Sequence, residues 1–198
     1  MRQLGKLVAV SLLALGCSHA KPAPSGGEAD SGPGVKESRN GNEIVKSFDL
    51  NGDEKPDAFE YYLRGKDEAG HPLDRLVRKE FDLNLDGKVD LWRWYDEKEN
   101  VIREAMDLNF DGRVDSIYYF ERGQRVREER DIDDQGKPHI WIYFEKNQIA
   151  RKEQDHKHTG KPDTWEYWEN GVIDRIGFDR NGDGQVDFWE RNPDTNEK

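Results

Sequence analysis

The sequence predicts an all-β chain of tandem antiparallel β-hairpins, and three observations lead to this prediction. A nine-residue acidic segment recurs six times, beginning at Asp49, Asp82, Asp107, Asp131, Asp155 and Asp179, so that the later copies repeat every 24 or 25 residues. Each segment is followed by a short run of alternating aromatic and polar residues. Each run ends at a turn, after which a second short run returns. A fixed period of this length is typical of repeat architectures, in which each unit packs on its neighbours.

The first strand of each unit is predicted from aromatic alternation. Rings recur at every second position after the acidic segment, which is the period of a strand, and aromatic residues favour strands. These runs cover residues 59–62, 92–95, 117–120, 141–144 and 165–168.

The second strand is predicted from the turns. Arg122-Gly123 and Asn170-Gly171 favour tight hairpins. Returning strands are expected at residues 101–104, 126–128, 149–152 and 172–175. The pattern leaves open whether the hairpins form an open twisted sheet, a solenoid or a closed barrel.

Five arginines recur in register, each four residues before the next acidic segment. They are Arg78, Arg103, Arg127, Arg151 and Arg175. Their recurrence predicts a ladder of guanidinium groups that stack on rings and pair with the carboxylates of the acidic segments. The alternative is exposed basic residues whose apolar stems lie along the sheet.

The first 16 residues predict a secretion signal. Arg2 and Lys6 precede an apolar run at residues 7–15 that is interrupted only by Ser11 and is too short to span a bilayer. Cys17, the only cysteine, follows Ala14-Leu15-Gly16 directly. This segment resembles the bacterial lipoprotein signal. The resemblance implies that Cys17 carries the lipid, such as palmitate, and becomes the mature N-terminus, anchored in the membrane. Ser18 after the cysteine implies the outer membrane. A chance cysteine at the end of a signal is the alternative.

Residues 17–42 predict a flexible tether, because Gly, Pro, Ser and Ala predominate there without hydrophobic periodicity. The repeat domain is expected at residues 43–198, with structure beginning near Ile44. With Cys17 used for lipid, no disulfide can stabilise this domain, so bound metal is the obvious substitute.

The charge of the chain argues against nucleic acid or an anionic membrane surface as a partner. The formal net charge is −11, and it falls by two, to −13, when the signal is removed with Arg2 and Lys6. A polyanion is repelled by phosphate. Much of the acid lies within the repeated segments, where it is better interpreted as metal ligand.

The acidic segments place oxygens at positions 1, 3, 5 and 9 around a glycine at position 6, and a backbone carbonyl at position 7 supplies one more ligand. A hard cation such as Ca²⁺ requires such a set. Three loops are complete. Their predicted ligands are Asp82, Asn84, Asp86, Lys88 and Asp90; Asp107, Asn109, Asp111, Arg113 and Asp115; and Asp179, Asn181, Asp183, Gln185 and Asp187, with Glu190 added at position 12. The lysine, the arginine and the glutamine would act through their carbonyls.

The other three loops are less complete. The first has Asp49, Asn51, Asp53, Asp57 and Glu60 as ligands, but Glu54 replaces the glycine, so a turn that is either strained or of a different type is expected. In the fourth loop His139 replaces the last carboxylate, and in the fifth Lys157 occupies a ligand position. Neither of these two is expected to bind calcium, and His156 and His158 are expected to face solvent.

The D-x-N-x-D-G-x-x-D string resembles the calcium loop of EF-hands, dockerins and thrombospondin type 3 repeats. The resemblance covers about nine residues per unit. It implies calcium ligands but neither those folds nor their partners, because those families follow the loop with a helix or depend on disulfides. Asx-rich turns that bind nothing are the alternative.

Two hypotheses of function follow. The first is a non-enzymatic calcium-binding lipoprotein of the cell envelope, with a structural, scaffold or adhesion role and an envelope protein as its possible partner. The second is a glycan-binding module. The W-x-Y-aromatic runs resemble the hairpin repeats of choline-binding cell-wall proteins, which implies that Trp92, Trp141, Trp165 and Trp189 stack on sugars. A buried core is the alternative for these rings. No pattern of catalytic residues stands out, so an enzyme is not expected.

Overall fold

A computed structural model describes residues 34–193, which form one open antiparallel sheet of thirteen strands in sequence order. The strands are β1 (Val35–Asn40), β2 (Glu43–Phe48), β3 (Ala58–Lys66), β4 (Pro72–Phe81), β5 (Leu91–Tyr95), β6 (Val101–Met106), β7 (Ser116–Glu121), β8 (Gln124–Arg130), β9 (Ile140–Glu145), β10 (Gln148–Gln154), β11 (Thr164–Glu169), β12 (Val172–Phe178) and β13 (Phe188–Arg191). The predicted all-β hairpin fold is confirmed. Residues 34–193 contain no helix with the length and hydropathy of a membrane span.

Tight hairpin turns connect the two strands of most units. Arg122 and Gly123 have φ of 51° and 76°, and Asn170 and Gly171 have φ of 53° and 81°. Two consecutive left-handed residues are what a type I′ hairpin requires. Lys146 and Asn147 adopt the same conformation without a glycine, which the sequence did not reveal.

The predicted start of the ordered domain is wrong. β1 occupies Val35–Asn40 and pairs with β2 along its whole length, although residues 17–42 were expected to form a tether and structure was expected from Ile44. β1 carries no aromatic residue and is mostly exposed, because an edge strand is held by its backbone hydrogen bonds and needs no apolar face. Cys17, the signal and the first part of the tether lie outside the described residues.

The sheet is a single layer. Among residues 34–193, extensive contacts connect only strands that are adjacent along the chain. The buried hydrophobic residues are accordingly few and small or branched: Ile44, Ala58, Leu76, Leu91, Ala105, Ile140 and Ile142. The cohesion of this part of the chain therefore depends on side-chain pairs across neighbouring strands.

One face, here called the arginine face, carries the predicted ladder. The five arginines lie over the rings of Tyr61, Trp94, Tyr119, Tyr143 and Tyr167, with guanidinium-to-centroid distances of 4.0, 4.4, 4.3, 4.1 and 4.9 Å. The stacking is thus confirmed.

The predicted ion pairs of these arginines with the acidic loops are wrong. Arg78, Arg127 and Arg151 pair with glutamates two residues along the same strand: Glu80, Glu129 and Glu153. Residues i and i+2 of a strand share a face, whereas the loop aspartate four residues away lies about 13 Å along the strand.

The opposite face, here called the ion-pair face, carries cross-strand salt bridges. Lys79 Nζ lies 2.6 Å from Glu60 Oε1, and Lys152 Nζ lies 3.1 Å from Glu166 Oε1. Glu128, only 1% exposed, pairs with Arg130 and Arg125. Both faces therefore neutralise their own buried carboxylates with lysine or arginine.

We predict that Arg127→Met lowers the free energy of unfolding by about 1 kcal/mol, because it removes a cation–π contact with Tyr119 and the partner of Glu129. Chemical denaturation of the full chain measures this change. Arg122→Met is the matched control, since Arg122 is exposed in a turn. Equal stability of the two variants would contradict the prediction.

Candidate metal sites at the loop end of the sheet

All six acidic loops lie at the same end of the strands, here called the loop end. They connect β2 to β3, β4 to β5, β6 to β7, β8 to β9, β10 to β11 and β12 to β13. Because each loop joins alternate neighbours in an antiparallel meander, successive loops are two strand spacings, or about 10 Å, apart.

Positions 1 and 9 of the loops extend the sheet by one row. The amide of Asp90 donates to the carbonyl of Phe81 at 2.8 Å, and the amide of Asp107 donates to the carbonyl of Asp90 at 2.8 Å. The same ladder continues to the last loop, where Asp179 donates to Asp163 at 2.9 Å. The side chains at these positions therefore lie next to each other across the molecule.

We call this line of side chains the acidic row. It consists of Asp49, Asp57, Asp82, Asp90, Asp107, Asp115, Asp131, His139, Asp155, Asp163, Asp179 and Asp187. Most of its members are buried; Asp107 is 1% exposed and Asp90 is 2% exposed. Burial of ionised carboxylates is costly unless polar partners or ions compensate for the lost water.

Backbone amides of the loops are the main partners of these carboxylates. In the third loop, Asp107 accepts from the amide of Phe110 through Oδ1 and from Gly112 through Oδ2, each at 2.7 Å. Asp115 Oδ2 accepts from the amides of Leu108 at 2.6 Å and Asn109 at 3.1 Å. The second loop repeats this network around Asp82 and Asp90.

Left-handed backbone conformations at positions 4 and 6 turn these amides toward position 1. In the third loop Phe110 has φ of 63° and Gly112 has φ of 92°, and in the sixth loop Gly182 and Gly184 have 84° and 87°. Glu54 in the first loop has φ of 70°, which confirms the expected strained turn. The sequence did not predict the left-handed conformation at position 4, because different residue types occupy this position in different loops.

The oxygens of the three complete loops fit calcium in type and number, although they do not converge. Calcium ligands lie 2.3–2.6 Å from the ion, hence within about 5 Å of each other. Among residues 34–193, no three carboxylates of one loop come together within 4.8 Å. The third loop nevertheless keeps Asp111 Oδ2 and Asp115 Oδ1 outside its amide network, and its position 7 carbonyl belongs to Arg113.

Among residues 34–193, the carboxylates of the acidic row are not ion-paired with lysine or arginine. Within the described part of the chain, no lysine or arginine forms an ion pair with a carboxylate of the row; its ion-pair contacts are to His139 and His156. The strand glutamates of both faces, by contrast, are paired. Uncompensated negative charge is therefore concentrated at the loop end.

The two predicted position 12 ligands are wrong. Glu60 lies in β3, where its oxygens contact Lys79 and the hydroxyl of Tyr62, both at 2.6 Å. Glu190 lies in β13 opposite Ile176. A strand rises about 3.3 Å per residue, so position 12 lies about 10 Å beyond position 9, too far to share an ion with it.

The histidines of the two incomplete loops do not simply face solvent. The rings of His156 and His158 are about half exposed, yet His156 Nδ1 lies 2.7 Å from Asp163 Oδ1 and His158 Nε2 lies 2.9 Å from Asp133 Oδ2. His158, His139 and Asp133 form a cluster between the fourth and fifth loops. Sequence spacing within one loop did not reveal it, because the cluster draws on two loops.

The pKa is lowered for three members of the acidic row, and hydrogen bonds from loop amides contribute in each; for Asp163 burial acts to raise the pKa, and the side chains of His156 and Thr164 and the amide of His156 outweigh it. The amide of Gly52 is the main cause for Asp49. For Asp179, burial acts to raise the pKa, but the amides of Gly184 and Gly182 outweigh it. A carboxyl whose pKa is lowered on folding adds stability above its unfolded pKa, and this stability is lost as the pH falls through the folded pKa.

Comparisons with known proteins give no family. No protein family and no curated protein matches the sequence. Two crystal structures of TarM, one of a S. aureus mutant in complex with fondaparinux, alpha-GlcNAc-glycerol and UDP, match at 18% identity, with a TM-score of 0.35, over 50% of this chain and 20% of theirs. The accessory secretory protein 1, 2 and 3 structure from Streptococcus pneumoniae matches at 12% identity, with a TM-score of 0.31, over 64% of this chain and 20% of its own. The chain thus spans about a fifth of their length, and these scores carry no functional argument.

We predict that the chelator-treated protein loses thermal stability as the pH falls below about 4, the pKa of an unfolded aspartate. Protonation removes the charge of the carboxylates that accept the loop amides and leaves each with one weaker acceptor, and Asp179→Asn should reduce this dependence because Asp179 contributes to it. Melting curves between pH 6 and pH 2 measure the effect. Glu169→Gln, at an exposed strand end, is the control. A melting temperature independent of pH in this range would contradict the prediction.

Proposed function

We propose that this protein is a non-enzymatic calcium-binding lipoprotein of the cell envelope, in which the single-layer sheet acts as a structural or scaffold element. The observation that carries the proposal is the acidic row: buried carboxylates line one end of the sheet, and within residues 34–193 no lysine or arginine pairs with them.

Divalent cations would relieve the repulsion within this row. Two like charges about 5 Å apart repel by about 3 kcal/mol at an effective dielectric constant near 20. Amide dipoles compensate part of this cost, but they carry no net charge. Bound calcium would supply that charge and join the start of each loop to its end. In the three complete loops the side chains at positions 1, 3, 5 and 9 and the carbonyl at position 7 would have to converge on the ion as it binds, because they lie further apart in this structure.

A location outside the cytoplasm is compatible with calcium sites of low affinity. Extracellular modules bind calcium with Kd of about 10⁻⁴ to 10⁻³ M, and a lipid on Cys17 would place the sheet outside the cytoplasm. The support for this anchor is the sequence of residues 1–18, with its basic start, its short apolar run and its single cysteine. The lipid would join the protein to the membrane, and Ser18 implies that this is the outer membrane.

A glycan-binding role is the second candidate, and one observation favours it. Trp92, Trp141, Trp165 and Trp189 occupy equivalent register positions on alternate strands of the arginine face. Trp189 is 46% exposed and the other three rings are partly exposed. In a single-layer sheet these rings are not enclosed in a core. On β9, β11 and β13 the rings form a row with a repeat of about 10 Å, on which a polysaccharide chain could stack, whereas Ile117 on β7 separates Trp92 from this row.

We predict that calcium raises the melting temperature of the full chain and releases or absorbs heat in a titration, with Kd of about 10⁻⁴ to 10⁻³ M. Asp111→Asn combined with Asp115→Asn should remove one of the sites, because both residues belong to the third loop. Calorimetry measures the number of sites. Glu145→Gln, an exposed strand-end residue, is the control. A melting curve unchanged by calcium and by EGTA would overturn the calcium proposal.

For the glycan role we predict that a soluble cell-wall polysaccharide shifts the tryptophan fluorescence and protects it from acrylamide quenching. Trp165→Ala should weaken this binding at least tenfold, roughly the loss of one stacked ring. The control is Trp94→Phe, because Trp94 lies beneath Arg103 in the arginine ladder. Equal affinity of wild type and Trp165→Ala would exclude the tryptophan row as the binding surface.

A further inference from the structure

One cluster at the loop end lies outside the calcium pattern. Asp133 and His139 belong to the fourth loop and His158 to the fifth, the two loops with the least complete calcium sets. One ligand atom from each residue lies within 4.8 Å of the other two. His139 Nδ1 is 3.3 Å from Asp133 Oδ1, and His158 Nε2 is 2.9 Å from Asp133 Oδ2.

The backbone ladder brings these residues together. The amide of Asp155, at the start of the fifth loop, donates to the carbonyl of His139 at 2.8 Å. His158 occupies the left-handed position 4 of its loop, with φ of 53°. Its ring centroid lies 5.0 Å from that of His139, and the rings are inclined by 57°. Two imidazoles and a carboxylate from neighbouring loops thus share one site.

The buried nitrogen of His139 gives an independent indication of a ligand. The side chain of His139 is 8% exposed, and its Nδ1 is buried without a hydrogen-bond partner. In the other loops a carboxylate at this position accepts loop amides, as Asp90 does from Leu83. A buried polar atom left unsatisfied costs about 1–3 kcal/mol, and a metal ion bound at Nδ1 would remove that cost.

The fourth loop also holds its first carboxylate more loosely than the complete loops do. Asp131 accepts one loop amide, that of Gln135 at 3.2 Å, whereas Asp107 accepts the amides of Phe110, Asp111 and Gly112. Asp131 Oδ1 lies 3.9 Å from His139 Nδ1. It is therefore available as a further oxygen beside the cluster.

The donor set and its dimensions fit zinc rather than calcium. Zinc binds imidazole nitrogen at about 2.0–2.1 Å and carboxylate oxygen at about 2.0–2.2 Å, so that tetrahedral ligands lie about 3.3 Å from each other. The two Asp133 contacts, at 3.3 and 2.9 Å, are close to this separation. Calcium prefers oxygen, whereas imidazole suits zinc and its neighbours in the transition series.

We propose that Asp133, His139 and His158 form a transition-metal site, best suited to Zn²⁺, that joins the fourth and fifth loops. Asp131 or water completes the coordination. The site is independent of the calcium proposal, because it uses nitrogen ligands and the two loops from which calcium binding is not expected.

The test uses the full chain without a polyhistidine tag, in excess Ca²⁺, titrated with Zn²⁺ by calorimetry and with Co²⁺ by visible absorption. One ion per chain should bind in the micromolar range or tighter, and Co²⁺ should show the intense bands of a tetrahedral site. His158→Ala and Asp133→Asn should each weaken binding at least tenfold, roughly the smallest loss expected for a ligand.

Two further kinds of variant separate metal binding from folding. His139→Asp restores the carboxylate found at position 9 of the other loops, so it should keep the fold, seen as an unchanged melt in chelator, while weakening zinc binding. His71→Ala and His156→Ala are matched controls, because each ring contacts a carboxylate of its own segment outside the cluster. Absence of Zn²⁺ binding at about 100 μM, or undiminished binding by both His158→Ala and Asp133→Asn, would overturn the proposal.

Discussion

The capture of loop amides by buried aspartates is the interaction on which the rest of this structure depends. A single-layer sheet has no second layer to fix the ends of its strands. Here the aspartate at position 1 of each loop accepts amides that follow it, and in the five loops with an aspartate at position 9 that residue accepts amides from the start of the loop. The same two residues extend the ladder from one hairpin to the next. Each loop thus sets the register of two strands and of its neighbouring unit, as in other repeat proteins whose cohesion is local.

This arrangement divides the electrostatics of the molecule into two parts. On both faces of the sheet, glutamates alternate with lysines and arginines, and their charges cancel locally. At the loop end the carboxylates meet amide dipoles, which orient them but leave their net charge in place. Negative potential is therefore concentrated along one end of the sheet. A cation that binds there would interact with the folded state alone, since the unfolded chain does not hold the row together.

Local patterns predicted most of the fold, and long-range relations explain what they missed. The repeat period, the ring alternation and the glycine turns located the hairpins, and the arginine spacing located the cation–π ladder. The sequence pattern did not predict β1, because an edge strand can be held by backbone hydrogen bonds alone and needs no apolar alternation. Glu60 and Glu190 were misassigned because the calcium-loop resemblance includes a helical exit, whereas an extended exit moves position 12 away from the ion. The cluster of Asp133, His139 and His158 joins two loops, so no spacing within one loop could reveal it.

The repeat also explains how one end of the sheet can hold different ligand sets. The ladder that joins the fourth and fifth loops runs through the backbone of His139, with the same 2.8 Å amide contact that the aspartates make elsewhere. The side chain at position 9 can therefore change from carboxylate to imidazole while the scaffold stays in register. The ligand chemistry changes: the first, second, third and sixth loops carry oxygen donors, and a set that contains nitrogen donors lies between the fourth and fifth. Neighbouring loops are about 10 Å apart. A side chain at position 4 that is long enough to contact the next loop, as His158 contacts Asp133, therefore creates a site shared by two loops.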